Sequence, residues 1–138
     1  MKKRQTMRTI KFRGKDIDTG EWLYGDLVRS KDGSMAAILV SDRDSYDECT
    51  VEYDTVGQFT GLYDKNGKEI YEGDIIISDE YKNAQHYVRY MESEAMFVAM
   101  IIGSSLDEYC GIRQWWIDKF SKKVIGNIHD NPELLKGE

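Results

Sequence analysis

Proline and long apolar runs are what this chain most lacks. Among its 138 residues there is one proline, Pro132, and no Pro- or Ser-rich linker divides the sequence. The longest apolar stretches, Ala36–Val40 and Ala95–Ile102, have the length of strands, whereas a membrane-spanning helix needs roughly 18 apolar residues. We therefore expect no membrane span, and one domain over residues 8–138 preceded by a flexible basic arm over residues 1–7.

The N-terminus is charged, but no apolar stretch long enough for a signal peptide follows it. We therefore expect a cytoplasmic protein. Its two cysteines, Cys49 and Cys110, carry no pairing motif, and in an unexported protein two such residues are expected to be reduced thiols.

Metal-binding patterns are missing as well. Cys49, His86, Cys110 and His129 are separated by 37, 24 and 19 residues, without the paired spacing of a zinc site. The acidic stretch 42–48 does not fit an EF-hand calcium loop, because Asp47 stands where the loop requires glycine. We expect no metal ion, and we interpret this stretch as a solvated surface loop.

Catalytic and nucleotide-binding motifs are absent too. The chain has no Gly-x-Ser-x-Gly elbow, and its Gly-rich segments lack the Lys-Ser/Thr ending of a phosphate loop. We expect no catalytic residue and no cofactor. An enzyme built from dispersed carboxylates and His86 or His129 remains an alternative, which a deep polar pocket around either histidine would support.

Charge is distributed unevenly along the chain. Residues 1–15 hold seven basic side chains and no acidic one, a formal charge of +7, whereas the rest of the chain carries −13. An acidic body opposes non-specific attraction to nucleic acid, but the basic arm alone can bind anions. Two hypotheses follow: nucleic-acid association through the arm and exposed aromatic side chains, and a more speculative acidic mimic of DNA.

Most of the sequence has the pattern of short strands separated by glycine-containing turns. Asn66-Gly67 predicts a hairpin with a two-residue type I′ turn, and Leu106–Ile112 permits one or two helical turns. Asn131-Pro132 predicts a short C-terminal helical turn. The predicted strands are Thr9–Arg13, Glu21–Arg29, Met35–Val40, Phe59–Tyr63, Glu69–Tyr71, Ile75–Ile77, Tyr87–Tyr90, Met96–Ile102, Gln114–Ile117 and Val124–Ile128. This spacing favours an all-β barrel or sandwich.

Aromatic residues supply the candidate site. In Trp22-Leu23-Tyr24 and in Trp115-Trp116-Ile117, bulky side chains alternate between the two faces of a predicted strand. One face must then contact something beyond the main core, such as another layer, another subunit or a partner. We therefore predict a partner interface that includes Trp22, Tyr24, Trp115 and Trp116, with one of the two adjacent tryptophans as its best candidate.

Four blocks of the sequence form an ordered set: Glu21–Leu27, Thr55–Leu62, Asp64–Ile76 and Val124–Leu135. Together these blocks resemble the YopX-like family of proteins carried by phages and prophages. The resemblance implies a mainly β domain, a small SH3-like barrel with additional strands. It also implies a phage or prophage origin and an unassigned function, with no catalytic residue to carry over.

These observations lead to one expected function and one principal alternative. We expect a non-enzymatic protein-binding or accessory module that engages an unknown protein partner or forms a homo-oligomer through barrel loops and sheet edges. The alternative is a nucleic-acid-associated protein that uses the basic arm and exposed aromatics.

Overall fold

The computed structural model describes residues 7–41, 44–81 and 85–136. The predicted arm over residues 1–7 therefore lies outside the described residues except for Met7, which is exposed. The chain divides after Val56 into two compact units, Met1–Val56 and Gly57–Glu138, and each is described by itself. The expectation of a single domain over residues 8–138 stays a prediction.

The N-terminal unit is an antiparallel arrangement of four strands in the order β4-β3-β2-β1. They are β1 (Phe12–Lys15), β2 (Trp22–Arg29), β3 (Ala36–Ser41) and β4 (Tyr46–Val51), and a 3₁₀ turn follows at Tyr53–Thr55. Directly opposed residues share a face of a sheet, so Leu27, Ile38 and Cys49 lie on one side. That side carries the core of the unit: Ala36, Ile38 and Val51 are buried, and Phe12, Leu23, Leu27, Val40 and Val56 pack against them.

The C-terminal unit contains a hairpin, a five-stranded antiparallel sheet and one α-helix. The hairpin joins β5 (Gly57–Tyr63) to β6 (Glu69–Tyr71). The sheet has the order β10-β9-β8-β7-β11. Its strands are β7 (Asp74–Ser78), β8 (His86–Met91), β9 (Met96–Ile101), β10 (Tyr109–Gly111) and β11 (Lys122–Asn127), and α1 (Gln114–Lys119) precedes β11. Further 3₁₀ turns occupy Glu92–Glu94 and Pro132–Lys136.

The core of this unit combines the sheet with α1 and the hairpin. Ile76 and Val88 lie on one face of the sheet, because Ile76 opposes His86 and Val88 is two residues further along β8. The buried residues of the cluster are Ile70, Ile76, Val88, Ile112 and Ile117, with Leu62, Phe97, Trp116 and Val124 packed against them. Alternate residues of the strands and one face of α1 therefore form a single hydrophobic core.

The mainly β class predicted from the sequence is confirmed, and so is the C-terminal helical turn. Among the described residues no closed barrel is found, so the SH3-like barrel is not confirmed. No helix in the described part of the chain is long and apolar enough to cross a membrane.

Four local predictions differ from the structure. Gln114–Ile117 is not a strand but lies in α1, and Leu106–Ile112 contains β10 instead of helical turns. The first strand is displaced, since it covers Phe12–Lys15 rather than Thr9–Arg13. The acidic stretch is not all loop, because β4 begins at Tyr46.

The predicted hairpin at Asn66-Gly67 is present, but its turn is not type I′. Only Gly67 has a positive φ, of 82°, whereas type I′ requires positive values at both central residues. The carboxylate of Asp64 accepts the N–H groups of Asn66 and Lys68 at 2.8 and 2.9 Å, and the N–H of Gly67 donates to the Asp64 carbonyl at 2.9 Å. These hydrogen bonds to Asp64 thus stabilise a turn that is longer than the two-residue type I′ turn and has Gly67 at its end.

Candidate functional site

Helix α1 presents one tryptophan to solvent and one to the core. Trp115 is 57% exposed, whereas Ile117 is fully buried and Trp116 packs against the core cluster. Neighbouring positions of a helix are about 100° apart, so Trp115 points away from the side that holds Trp116 and Ile117. Trp115 is therefore the exposed one of the two tryptophans, and its role in a partner interface stays a prediction.

Gln114 anchors this short helix to the neighbouring hairpin. Its Oε1 accepts the N–H of Tyr63 at 3.0 Å, and its Nε2 donates to the Tyr63 carbonyl at 2.8 Å and to Asp118 at 3.0 Å. A six-residue helix is too short to be stable alone, so these bonds and the buried side of α1 fix its position. Helix α1 is consequently fixed beside Tyr63, and this fixes the position of Trp115. The side chain of Tyr63 is 45% exposed.

Trp116 lies at the centre of a polar and aromatic cluster. The ring of His86 meets the indole edge to face at 5.2 Å, and the ring of Phe120 lies 6.5 Å away. Lys122 holds its Nζ 5.0 Å from the indole centre, at a distance typical of a cation–π interaction. The charge of Lys122 also acts on the thiol of Cys110, which is half-buried. We call Trp116, His86, Lys122 and Cys110 the buried polar cluster.

The buried polar cluster is electrostatically unusual. Burial, and secondarily the charge of Lys122, lowers the pKa of His86 to about 4. Burial also lowers the pKa of Lys122 and raises that of the Cys110 thiol. His86 is 4% exposed, and its Nδ1 has no hydrogen-bond partner among the described residues. The imidazole is therefore neutral near pH 7, and the thiol is held away from its reactive thiolate form.

Sequence reasoning missed this cluster. His86, Cys110, Trp116 and Lys122 come from four different elements and share no spacing that a motif describes. The sequence offered His86 only for an alternative enzyme site, whereas its burial at the first position of β8 is consistent with a structural role. The available signal was weak, because Lys122 is one of two adjacent lysines between Ser121 and the apolar residues of β11.

The other predicted pair lies in the N-terminal unit. Trp22 opposes Lys15 and Tyr24 opposes Arg13, so all four side chains belong to the face opposite the core. The guanidinium of Arg13 stacks 4.5 Å from the Trp22 ring centre, and Lys15 Nζ lies 5.6 Å from it. Tyr24 is 45% exposed, whereas Trp22 is half-buried. The structure therefore brings Trp22 and Tyr24 together on a face that is both aromatic and basic.

Groups of histidine, cysteine and carboxylate side chains that could hold a metal ion are not found among residues 7–41, 44–81 and 85–136. The prediction of no cofactor stays a prediction.

The fold and the sequence blocks can now be compared with known proteins. Residues 11–136 match the family described as YopX protein. The chain belongs to the YopX family. This assignment confirms the resemblance drawn from the sequence blocks.

Solved structures agree with the YopX assignment. Protein EF1440 from Enterococcus faecalis is 28% identical, with a TM-score of 0.59, and the alignment covers 94% of this chain and 99% of that one. Protein yopX from Bacillus subtilis is 18% identical, with a TM-score of 0.55, and the alignment covers 96% and 99% of the two chains. The second likeness shows the fold alone. A comparison with curated proteins finds no match.

Proposed function

We propose that this YopX protein is a non-enzymatic protein-binding or accessory module that engages a protein partner through the exposed face of α1. The observation that carries the proposal is the 57% exposure of Trp115 on a helix pinned by Gln114. Tryptophan is enriched among residues that dominate binding energy at protein interfaces. Because the helix is already fixed, binding through Trp115 orders only side chains and keeps the entropic cost low.

The setting proposed for this module is the cytoplasm of a bacterial host, with the gene carried by a phage or prophage. The sequence resemblance to YopX-like proteins supports this origin. It is consistent with an accessory role, in which a small protein acts by binding another protein.

The chemistry of the buried polar cluster also supports a non-enzymatic role. A general base works best with a pKa near the working pH, whereas burial lowers the pKa of His86 to about 4. A nucleophilic cysteine needs a lowered pKa, whereas the pKa of Cys110 is raised. Both shifts oppose the use of these groups in catalysis, so we interpret the cluster as structural.

The test is affinity capture from host extract with tagged wild-type protein and two variants. Trp115→Ala removes the proposed contact, and Tyr53→Ala removes an aromatic ring of similar exposure, 44%, from the N-terminal unit as the matched control. We expect quantitative mass spectrometry to find a protein retained by the wild type and the control, lost with Trp115→Ala, and unaffected by nuclease. If Trp115→Ala retains the same proteins in the same amounts as the wild type, the α1 surface is not the binding site.

A second candidate function is nucleic-acid association, favoured by the basic aromatic face of β1 and β2. Lys15 supplies a cation beside Trp22 and Tyr24, and a cation beside aromatic rings can contact phosphates and stack on single-stranded bases. Arg13 is only 5% exposed and stacks on Trp22 within the protein. The acidic charge of the remaining chain counts against it.

The second candidate is tested by fluorescence anisotropy of a labelled single-stranded oligonucleotide. Nucleic-acid association requires binding that weakens steeply with added salt and is reduced when residues 1–7 are removed. The absence of binding by the full chain at low salt would eliminate this candidate.

A further inference from the structure

The turn between β5 and β6 contains the only Asn-Gly pair of the chain, Asn66-Gly67. Both residues are exposed, and a Cβ built on Gly67 would meet nothing within 4 Å. Asparagine is a thermolabile residue, because the backbone nitrogen of the next residue can attack its side-chain amide. Glycine has no Cβ to hinder this attack. The pair therefore presents both reacting groups without steric protection.

The reaction is an intramolecular acyl transfer that needs only water as a co-reactant. The nitrogen of Gly67 bonds to Cγ of Asn66 and loses its proton, while the bond from Cγ to Nδ2 breaks and ammonia leaves. The product is a succinimide ring. Water then adds to one of the two carbonyl carbons of the ring and opens it, which leaves either aspartate or isoaspartate in place of Asn66. In isoaspartate the main chain runs through Cβ and Cγ and is longer by one methylene group.

Asp64 restrains both reacting residues in the folded chain. The N–H of Gly67 donates to the carbonyl of Asp64 at 2.9 Å, and the carboxylate of Asp64 accepts the N–H of Asn66 at 2.8 Å. The N–H of Lys68 donates to the same carboxylate at 2.9 Å, and Asp64 is only 5% exposed. A nitrogen held in this way cannot turn toward Cγ of its neighbour until its hydrogen bond opens. The reaction therefore proceeds through local opening of the turn, and its rate follows the population of the open form.

We propose that Asn66 is a site of spontaneous modification to aspartate and isoaspartate, and that Asp64 controls the rate by holding the turn closed. The other asparagines of the described residues each lack a requirement of the reaction. Asn131 precedes Pro132, whose nitrogen carries no proton to lose. Asn127 is 8% exposed, and hydrogen bonds to the loop that follows β11 hold its side chain. Among the described residues the modification is thus specific to the turn between β5 and β6.

The same turn connects the hairpin to β11, so its modification has consequences beyond the modified residue. Oδ2 of Asp64 accepts the N–H of Val124 at 3.0 Å, and the N–H of Lys65 donates to the carbonyl of Lys122 at 2.9 Å. The added methylene group of isoaspartate displaces the N–H of Lys68 from the carboxylate of Asp64. The carboxylate then loses a bond that fixes it in the turn. We therefore expect the hairpin to separate more readily from β11 in the isoaspartate form.

The test follows Asn66 by peptide mapping and mass spectrometry while the full chain is incubated at mildly alkaline pH. The wild type is incubated both folded in buffer and unfolded in guanidinium chloride, so that the effect of the turn is separated from the chemistry. The variant Asp64→Asn weakens the carboxylate contacts, and circular dichroism checks its fold. A protease that cleaves before aspartate but not before isoaspartate distinguishes the two products. Asn127 and Asn131 are the controls within each folded sample.

We expect Asn66 to be converted in the folded wild type while Asn127 and Asn131 are retained. Unfolding should accelerate the conversion by about fivefold or more, the factor that corresponds to opening one ordinary hydrogen bond. Folded Asp64→Asn should react faster than the folded wild type and at the same rate when both are unfolded. The proposal is overturned if folded wild type retains Asn66 as fully as Asn131. Equal rates in the folded and unfolded wild type would also overturn it, because the turn would then exert no control.

A second measurement tests the consequence for the hairpin. Asn66→Asp carries the same added charge as the isoaspartate form but lacks the added methylene group, so it is the matched control. Chromatography separates the isoaspartate form from the incubated wild type, and its midpoint of urea unfolding should be lower than that of Asn66→Asp. Equal midpoints would contradict the loosening of the hairpin from β11. Trp115 takes no part in this reaction, so the result is independent of the test of the α1 surface.

Discussion

His86 and Trp116 pack edge to face with 5.2 Å between their ring centres, and Lys122 approaches the same indole to 5.0 Å. A titratable ring from β8 and a cation from β11 therefore contact one aromatic side chain of α1. Protonation of His86 would place a second buried positive charge beside this indole. The charge state of His86 is thus linked to the packing of α1 on its sheet.

The first prediction concerns the pH dependence of stability. The pKa of His86 is about 4 in the folded protein against an ordinary 6.5, so between these values the unfolded chain binds a proton that the folded chain does not. Stability should therefore fall as the pH decreases from 6.5 to 4, by up to roughly 3 kcal/mol from this group. Urea unfolding monitored by tryptophan fluorescence at a series of pH values measures the change.

The variant His86→Phe is the control for the change in stability between pH 6.5 and pH 4. It keeps a ring beside Trp116 and removes the titrating nitrogens, so the part of the pH dependence due to His86 should disappear. Carboxylates titrating over the same range contribute equally to both proteins. If the two unfolding free energies run parallel from pH 6.5 to 4, protonation of His86 is not linked to stability.

The second prediction separates the two adjacent tryptophans. Trp116 packs against the core cluster, so Trp116→Ala should lower the free energy of unfolding by about 3 kcal/mol. Trp115 is 57% exposed, and Trp115→Ala should change it by less than about 0.5 kcal/mol. Chemical denaturation of both variants measures the difference. Equal losses would mean that Trp115 is a structural residue and would remove it from the proposed interface.

The third prediction tests the anchoring of α1. Gln114→Ala removes hydrogen bonds of 3.0 and 2.8 Å to the backbone of Tyr63, and should cost roughly 1–2 kcal/mol. Lys119→Ala, at an exposed position of the same helix, should cost less than about 0.5 kcal/mol and controls for a change in the helix alone. The midpoints of urea unfolding compare the two variants. A loss of the same size in both would show that the Gln114 bonds contribute nothing to the position of α1.

The sequence predicts those elements whose pattern is local. β2, β3 and β5–β9 are found within a few residues, because β-branched and aromatic residues alternate between glycine-containing turns. β4 was partly missed since Tyr46-Asp47-Glu48 is polar on both faces, as expected of an edge strand with one open side. Tertiary contacts decide such a strand, and its own residues give little sign of it.

Helix α1 and the buried polar cluster depend on contacts far apart in sequence. Gln-Trp-Trp-Ile has the composition of a strand, but hydrogen bonds from Gln114 to Tyr63, 51 residues away, and burial of Ile117 favour the helix. Propensity is overridden by such packing. For the same reason no spacing could associate His86 with Lys122. The four aromatic residues of the predicted interface could be proposed from local pattern alone, but Trp116 packs against the core.

The last prediction uses a close approach within the N-terminal unit. A Cβ at Gly25 would overlap the backbone carbonyl of Leu39 on the neighbouring strand, and neither strand can move without breaking its pairing. Gly25→Ala should therefore destabilise the protein by more than about 3 kcal/mol, at the upper end of overpacking effects. Gly67→Ala is the control: nothing lies near its added Cβ, and only its φ of 82° opposes alanine, which costs about 1–2 kcal/mol.

Circular dichroism and urea unfolding distinguish the two glycine variants. We expect Gly67→Ala to fold with a modestly lowered midpoint, and Gly25→Ala to be largely unfolded or recovered in insoluble form. If Gly25→Ala folds as well as Gly67→Ala, then β2 and β3 can separate at this point without losing the core. That result would contradict the close approach of β2 and β3 at Gly25 and Leu39.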